Sequence, residues 1–112
     1  MTYCIDIDGT LCTITHGKYE SAVPFPAAIA RVRAFYEAGH RIVLFTARGT
    51  TTGIDWRSLT EKQMKDWGVP YHQLILGKPE ADVYIDDRAV SAHDWMSGKL
   101  ESGVSSPRGG GP

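Results

Sequence analysis

Short apolar runs alternate along this chain with stretches in which apolar side chains return every three or four residues, a pattern that predicts strands separated by helices. Residues 3–7 (YCIDI) are β-rich and stop at Asp-Gly-Thr, as a buried strand feeding a loop does. A polar, glycine-containing loop follows, and Pro26 then stands where a first helical turn accepts proline. From there Ile29, Val32, Phe35 and Tyr36 share a helical face as far as Gly39, the expected C-terminal cap. Residues 41–46 (RIVLFT) are a near-continuous apolar run suited to a strand covered on both faces. The segment 50–53 can hold no core. A second helix is expected from near Asp55, carrying Trp56, Leu59, Met64 and Trp67, until Gly68-Val69-Pro70 ends it. Residues 74–76 predict a brief third strand and residues 82–85 a fourth, followed by a last helix through Trp95.

Strands alternating with helices imply a parallel sheet joined by right-handed crossovers. The expected class is α/β: a Rossmann-like three-layer sandwich with a parallel sheet of about four strands. With 112 residues, 42% hydrophobic and 22% charged, the chain suits one domain with a feasible core and no room for a second. Five glycines, four serines and two prolines crowd into residues 97–112, so the fold is expected over 1–96, with 97–112 a flexible tail. Twelve basic against thirteen acidic side chains leave a net charge of -1 and no positive field to draw in phosphate backbones or anionic lipid. The charge balance argues against nucleic acid as a partner. The two cysteines, expected as a reduced core residue at Cys4 and an incidental loop thiol at Cys12, form no disulfide framework and lack zinc spacing. They fit a cytoplasmic protein, and the N-terminus reads as neither signal peptide nor membrane span.

What carries chemistry is where the polar residues fall. Strand one ends in Asp6-Ile7-Asp8, strand two in Thr46, strand three is followed by Lys78, and strand four ends in Asp86-Asp87. Ligands of an open parallel sheet bind at the carboxyl ends of its strands. Gathering these carboxylates on one rim is destabilising without a cation, and an all-oxygen donor set suits Mg2+ better than zinc. A bound phosphate would complete the metal's ligands and act as counterion to Lys78, which is a phosphoryl-transfer constellation.

The segments DIDGT at 6–10, FTAR at 45–48, GKP at 77–79 and YIDDRA at 84–89 resemble the four ordered motifs of the haloacid dehalogenase-like superfamily, specifically its small capless phosphatases. The resemblance spans Tyr3 to about Trp95. It implies that Asp6 is the nucleophile that forms an aspartyl-phosphate, ionised beside the metal. Asp8 would be general acid and then general base, a role that asks for a raised pKa. Thr46 would hold a phosphoryl oxygen and Lys78 would offset charge, completing a catalytic set of Asp6, Asp8, Thr46 and Lys78. Magnesium would be held by the Asp6 carboxylate, the Asp8 carbonyl and the pair Asp86 and Asp87. An acid at Asp8 points to phosphate esters rather than to halides, which need none.

Candidate substrate contacts are Arg48, Ala47, Lys18 and Arg88, with His16 and Tyr19 in the flanking loop. The gaps 9–26 and 47–77 are too short for an inserted cap domain. The site would therefore be open unless the loop 16–20 or a second copy in a homo-oligomer covers it, so either the substrate is large or the protein is oligomeric. The expected partner is a small phosphorylated metabolite, with a sugar or sugar-acid phosphate of polysaccharide biosynthesis preferred through the resemblance. A polynucleotide 3'-phosphatase is the alternative enzyme, since FTARG and YIDDRA also resemble that class. A phospho-acceptor receiver domain shares the ligand types, but its motifs run with the acidic pair first and lysine last.

Overall fold

Three of the predicted strands pair in parallel. In the computed structural model, which describes residues 1–98, β1 (Thr2–Asp6), β2 (Arg41–Thr46) and β3 (Gln73–Leu76) lie in the order β1-β2-β3. The register aligns Ile5 with Leu44 and Leu44 with Leu74. Helices α1 (Pro26–Glu37) and α2 (Arg57–Trp67) are the two crossovers. Successive crossovers of one hand in one direction place both helices on the same face of the sheet. Accordingly Arg33 of α1 reaches the carbonyls of Trp67 and Gly68 at the end of α2, at 3.3 and 3.0 Å.

That helical face is the core. Ile5, Ile42, Leu44 and Leu74 of the sheet are buried with Ala28, Ile29 and Val32 of α1 and Met64 of α2, and Tyr3 stacks on Phe35 at 4.1 Å. At the other face Cys4 is exposed, which reverses the expected order of the two cysteines: Cys12 is the fully buried one. The reason lies in the chain after β1. Leu11 and Cys12 are fully buried in a turn held by Gly9 N donating to Cys12 O at 2.8 Å and Phe25 N donating to Leu11 O at 2.8 Å. The stretch expected as a plain polar loop thus contributes to the core.

Both long helices end as their sequences predict. Past α1, Gly39 lies at φ +93° with Gly39 N donating to Tyr36 O and His40 N to Phe35 O. This is a Schellman closure, and Gly68 at φ +71° closes α2 the same way. Asp55 accepts the Arg57 amide at 3.0 Å, and α2 starts just beyond it. Its inward face differs from the expectation: Thr60, Gln63 and Met64 are buried, while Leu59 and Trp67 are half-buried.

The chain divides into two compact units, Met1–Glu80 and Ala81–Pro112, and the sheet belongs to the first. In the second unit the fourth strand is absent: residues 82–85 pair with no strand, and Val83 and Ile85 are 71% and 94% exposed. A strand exists through its ladder of partners, and an apolar triplet without a ladder stays irregular. The sheet among the described residues therefore has three strands, not four. The last helix, α3 (Ala92–Met96), is capped by Ser91, whose hydroxyl accepts the Asp94 amide at 3.1 Å. The expected tail falls almost wholly outside the described residues. No described helix is long and apolar enough to cross a membrane.

Candidate functional site

At the carboxyl end of β1 the alternation of an extended chain sends Asp6 and Asp8 toward the same side, and Gly9, at φ +85°, turns the backbone away immediately after them. The turn closes through Thr10 N and Leu11 N, both donating to Ile7 O. Next to it, the end of β2 fastens the lysine loop: Gly77 N and Lys78 N both donate to Thr46 O, at 3.1 and 3.0 Å. Thr50 Oγ1 donates to Lys78 O at 2.8 Å from the other side. These bonds bring Lys78 Nζ to 3.4 Å from Asp6 Oδ2 and over the Phe45 ring. The Asp6 side chain stays 35% exposed. Burial pushes its carboxyl above the ordinary value, against the downward pull of the Lys78 ammonium and the Ile7 amide.

Asp8 is held differently. Arg48 grips it with a two-pronged contact, Nε to Oδ2 at 3.0 Å and Nη2 to Oδ1 at 3.0 Å. The arginine side chain is fully buried, against 20% exposure for Asp8. Its Nη1 donates to Thr60 Oγ1 at 3.0 Å and Gln63 Oε1 at 2.6 Å, both on α2 one turn apart. Nη2 also reaches Cys12 Sγ at 3.9 Å, and the Tyr19 ring lies 4.7 Å from the guanidinium carbon. Gln63 in turn donates to Tyr19 O at 2.7 Å, tying the loop to α2. A guanidinium carries five N–H groups, and Arg48 has protein acceptors for all of them. Arg48, expected from sequence as a substrate contact, is an internal cation whose N–H groups all have protein acceptors. Burial and the Asp8 charge raise the thiol of Cys12 beside it to about 12.

Thr46 is fully buried; its hydroxyl accepts the Arg48 amide at 3.1 Å and donates to Asp8 Oδ2 at 3.5 Å, and its carbonyl anchors the lysine loop. Lys18 is exposed ahead of the short 3-10 turn Tyr19–Ser21, and Ala47 is half-buried after β2. In the second unit, Asp86 Oδ1 accepts the Arg88 amide at 2.6 Å, and the exposed Arg88 and Asp87 side chains meet at 4.0 Å. Among the described residues no three His, Cys, Asp or Glu side chains cluster as a metal site.

The partners of Arg48 were not expected. Thr60 and Gln63 are polar residues one turn apart beside apolar Met64, and that break in an amphipathic stripe was the available signal. Beside them, Gly17, Tyr19, Gly49, Thr51, Thr52, Ile54, Trp56 and Glu80 line a shallow cleft of about 90 Å³. Its walls are braced by the Tyr19–Trp56 edge contact at 5.0 Å and by Thr51 donating to Glu80 at 2.9 Å.

Comparison with solved structures places this arrangement among similar folds. A crystal structure from Vibrio cholerae matches with a TM-score of 0.81 and 29% identity, over 90% of this chain and 91% of that one. The Pnkp1/Rnl/Hen1 complex matches with a TM-score of 0.55 and 16% identity over 88% of this chain, which spans 33% of the matched chain. A second structure, of the Pnkp1/Rnl/Hen1 RNA repair complex, also gives 0.55 and 16%, the chain spanning 30% of that partner. No protein-family model and no curated protein matches the chain.

Proposed function

We propose that the chain is a magnesium-dependent phosphomonoester hydrolase of the haloacid dehalogenase-like type, working through an aspartyl-phosphate on Asp6. The observation that carries the reading is the division of labour at the end of β1: two carboxylates two residues apart, each facing its own cation. Asp6 is the reachable one, with an ammonium at 3.4 Å to offset charge as a phosphate arrives. In the first step Asp6 Oδ attacks phosphorus, the ester P–O bond breaks, and the Asp8 proton passes to the leaving oxygen. In the second, Asp8 takes a proton from water, whose oxygen attacks phosphorus and frees Asp6. Lys78 stays beside Asp6 throughout. Thr46 acts through its carbonyl on the lysine loop and its hydroxyl against Asp8, rather than by touching the phosphoryl group.

The donors fit magnesium in kind. The Asp6 carboxylate and the Asp8 carbonyl are hard oxygen ligands, and magnesium binds through one or two carboxylates while water and substrate phosphate fill its remaining positions. Bound there, it would neutralise charge on the transferring phosphoryl group. A ligand role for Asp86 and Asp87 rests on the motif order alone.

For substrate, the near-neutral chain and the resemblance to small capless members favour a small phosphorylated metabolite, a sugar or sugar-acid phosphate first; the lack of an inserted cap leaves the rim open, for a second copy of the chain to cover or for a larger substrate to reach. A polynucleotide 3'-phosphatase is the second reading, favoured by the fold likeness to a chain of an RNA repair complex. Phosphate release with magnesium from a panel of sugar phosphates and a 3'-phosphorylated oligonucleotide separates the two. Turnover that vanishes in Asp6→Asn supports the hydrolase, and wild-type turnover in that variant overturns it.

A further inference from the structure

We propose that Arg48 is a positioning residue for Asp8: its two-pronged grip fixes the direction from which that carboxyl group meets the leaving oxygen. The inference rests on the phosphomonoesterase reading and adds to it a residue that never touches substrate. Three features of the contact separate it from a surface ion pair. It is two-pronged, with both bonds at 3.0 Å, so the carboxylate cannot rotate without losing one of them. The arginine is itself immobilised, because Nη1 is bonded to Thr60 and Gln63 on α2, whose side chains are buried. Its ring partner Tyr19 is tied to that helix through Gln63, so sheet end, loop and helix converge on one guanidinium.

A carboxylate carried by a turn next to a glycine would otherwise sample several rotamers, and proton delivery depends on a fixed approach to the leaving oxygen. An arginine that merely filled space would lack the fork. Lysine in its place would keep the charge and lose the geometry.

The test is leaving-group dependence. Aryl phosphates such as p-nitrophenyl phosphate expel a weakly basic oxygen and gain little from a general acid, whereas alkyl phosphates such as glycerol phosphate need one. In Arg48→Lys the ratio of alkyl to aryl kcat should fall by about tenfold or more, in the direction of the fall in Asp8→Asn. The double variant should show no further fall in the ratio, since the two residues act as one unit. If Arg48→Lys does not fold, Thr60→Val releases one anchor of the guanidinium and should lower the same ratio by roughly twofold. A ratio unchanged in the variant that folds, or equal losses on both substrates, overturns the positioning role. Multiplying losses in the double variant overturn it too. Absence of Asp6-dependent phosphate release in the wild-type protein is a different result, and it removes the underlying reading as well.

Discussion

The two carboxylates at the end of β1 are separated by one residue and live in different environments. Asp6 faces Lys78 across 3.4 Å at a partly open rim, and Asp8 is gripped by a fully buried Arg48 with a second layer of α2 side chains behind it. A single ammonium on a flexible stem leaves the first carboxylate free to adjust, whereas a planar fork with five bonded N–H groups holds the second in one orientation. The contrast shows how one strand end can carry a loosely paired carboxylate and a fixed one: the cation type differs, and so does the set of groups that anchors it.

The largest expected effect breaks the comparison on its reactive side. Asp6→Asn should lower phosphate release by on the order of a thousandfold or more while the thermal midpoint stays close to wild type. Retained turnover would mean that Asp6 is not the attacking group. On the fixed side, Arg48→Met should cost about 3 kcal/mol in urea unfolding, because it strands Asp8 and leaves Thr60 and Gln63 without their donor. Lys78→Met should cost less than that, on the order of 1 kcal/mol, because its ammonium, on a side chain 15% exposed, faces a carboxylate that stays 35% exposed. Equal losses in the two variants would erase the distinction between floor and rim.

A subtler effect concerns pH. The Asp6 carboxyl is raised in the folded state, chiefly by burial. A raised folded value gives stability that is complete below the ordinary carboxylate range and lost as pH rises through the folded value. In metal-free buffer Asp6→Asn carries no such loss, so its stability relative to wild type should increase from pH 3 to pH 7. An unchanged difference across that range would contradict the burial of Asp6. The smallest effect is chemical. A thiol reagent at pH 8 should add once, at exposed Cys4, while Cys12, raised to about 12 and fully buried, stays unmodified. Labelling of Cys12 in the folded protein would show that the Asp8–Arg48 floor opens.

Local signals in the chain were legible where local physics decides. Pro26 starts α1, Gly39 and Gly68 lie at positive φ past the two long helices, and RIVLFT is the central strand. Asp6 and Lys78, placed at two strand ends by the sequence, lie 3.4 Å apart. What was not legible depends on distant partners. Residues 82–85 have the composition of a strand and no ladder, and Leu11 and Cys12 look like loop yet are fully buried. Arg48 reads as an open cation because its five acceptor atoms come from Asp8, Cys12, Thr60 and Gln63, residues of two separate parts of the chain.

By itself the sequence determined the alternation of strands and helices, the ends of the helices and the placing of the acidic and basic residues at the strand ends. These follow from backbone propensity and from the periodicities of side chains along one segment. Tertiary structure alone decided which cation serves which carboxylate. Lys78 and Arg48 carry the same charge, and only the packing of α2 against the sheet, which buries Thr60 and Gln63 within reach of one guanidinium, makes Arg48 part of the floor and leaves Lys78 at the rim.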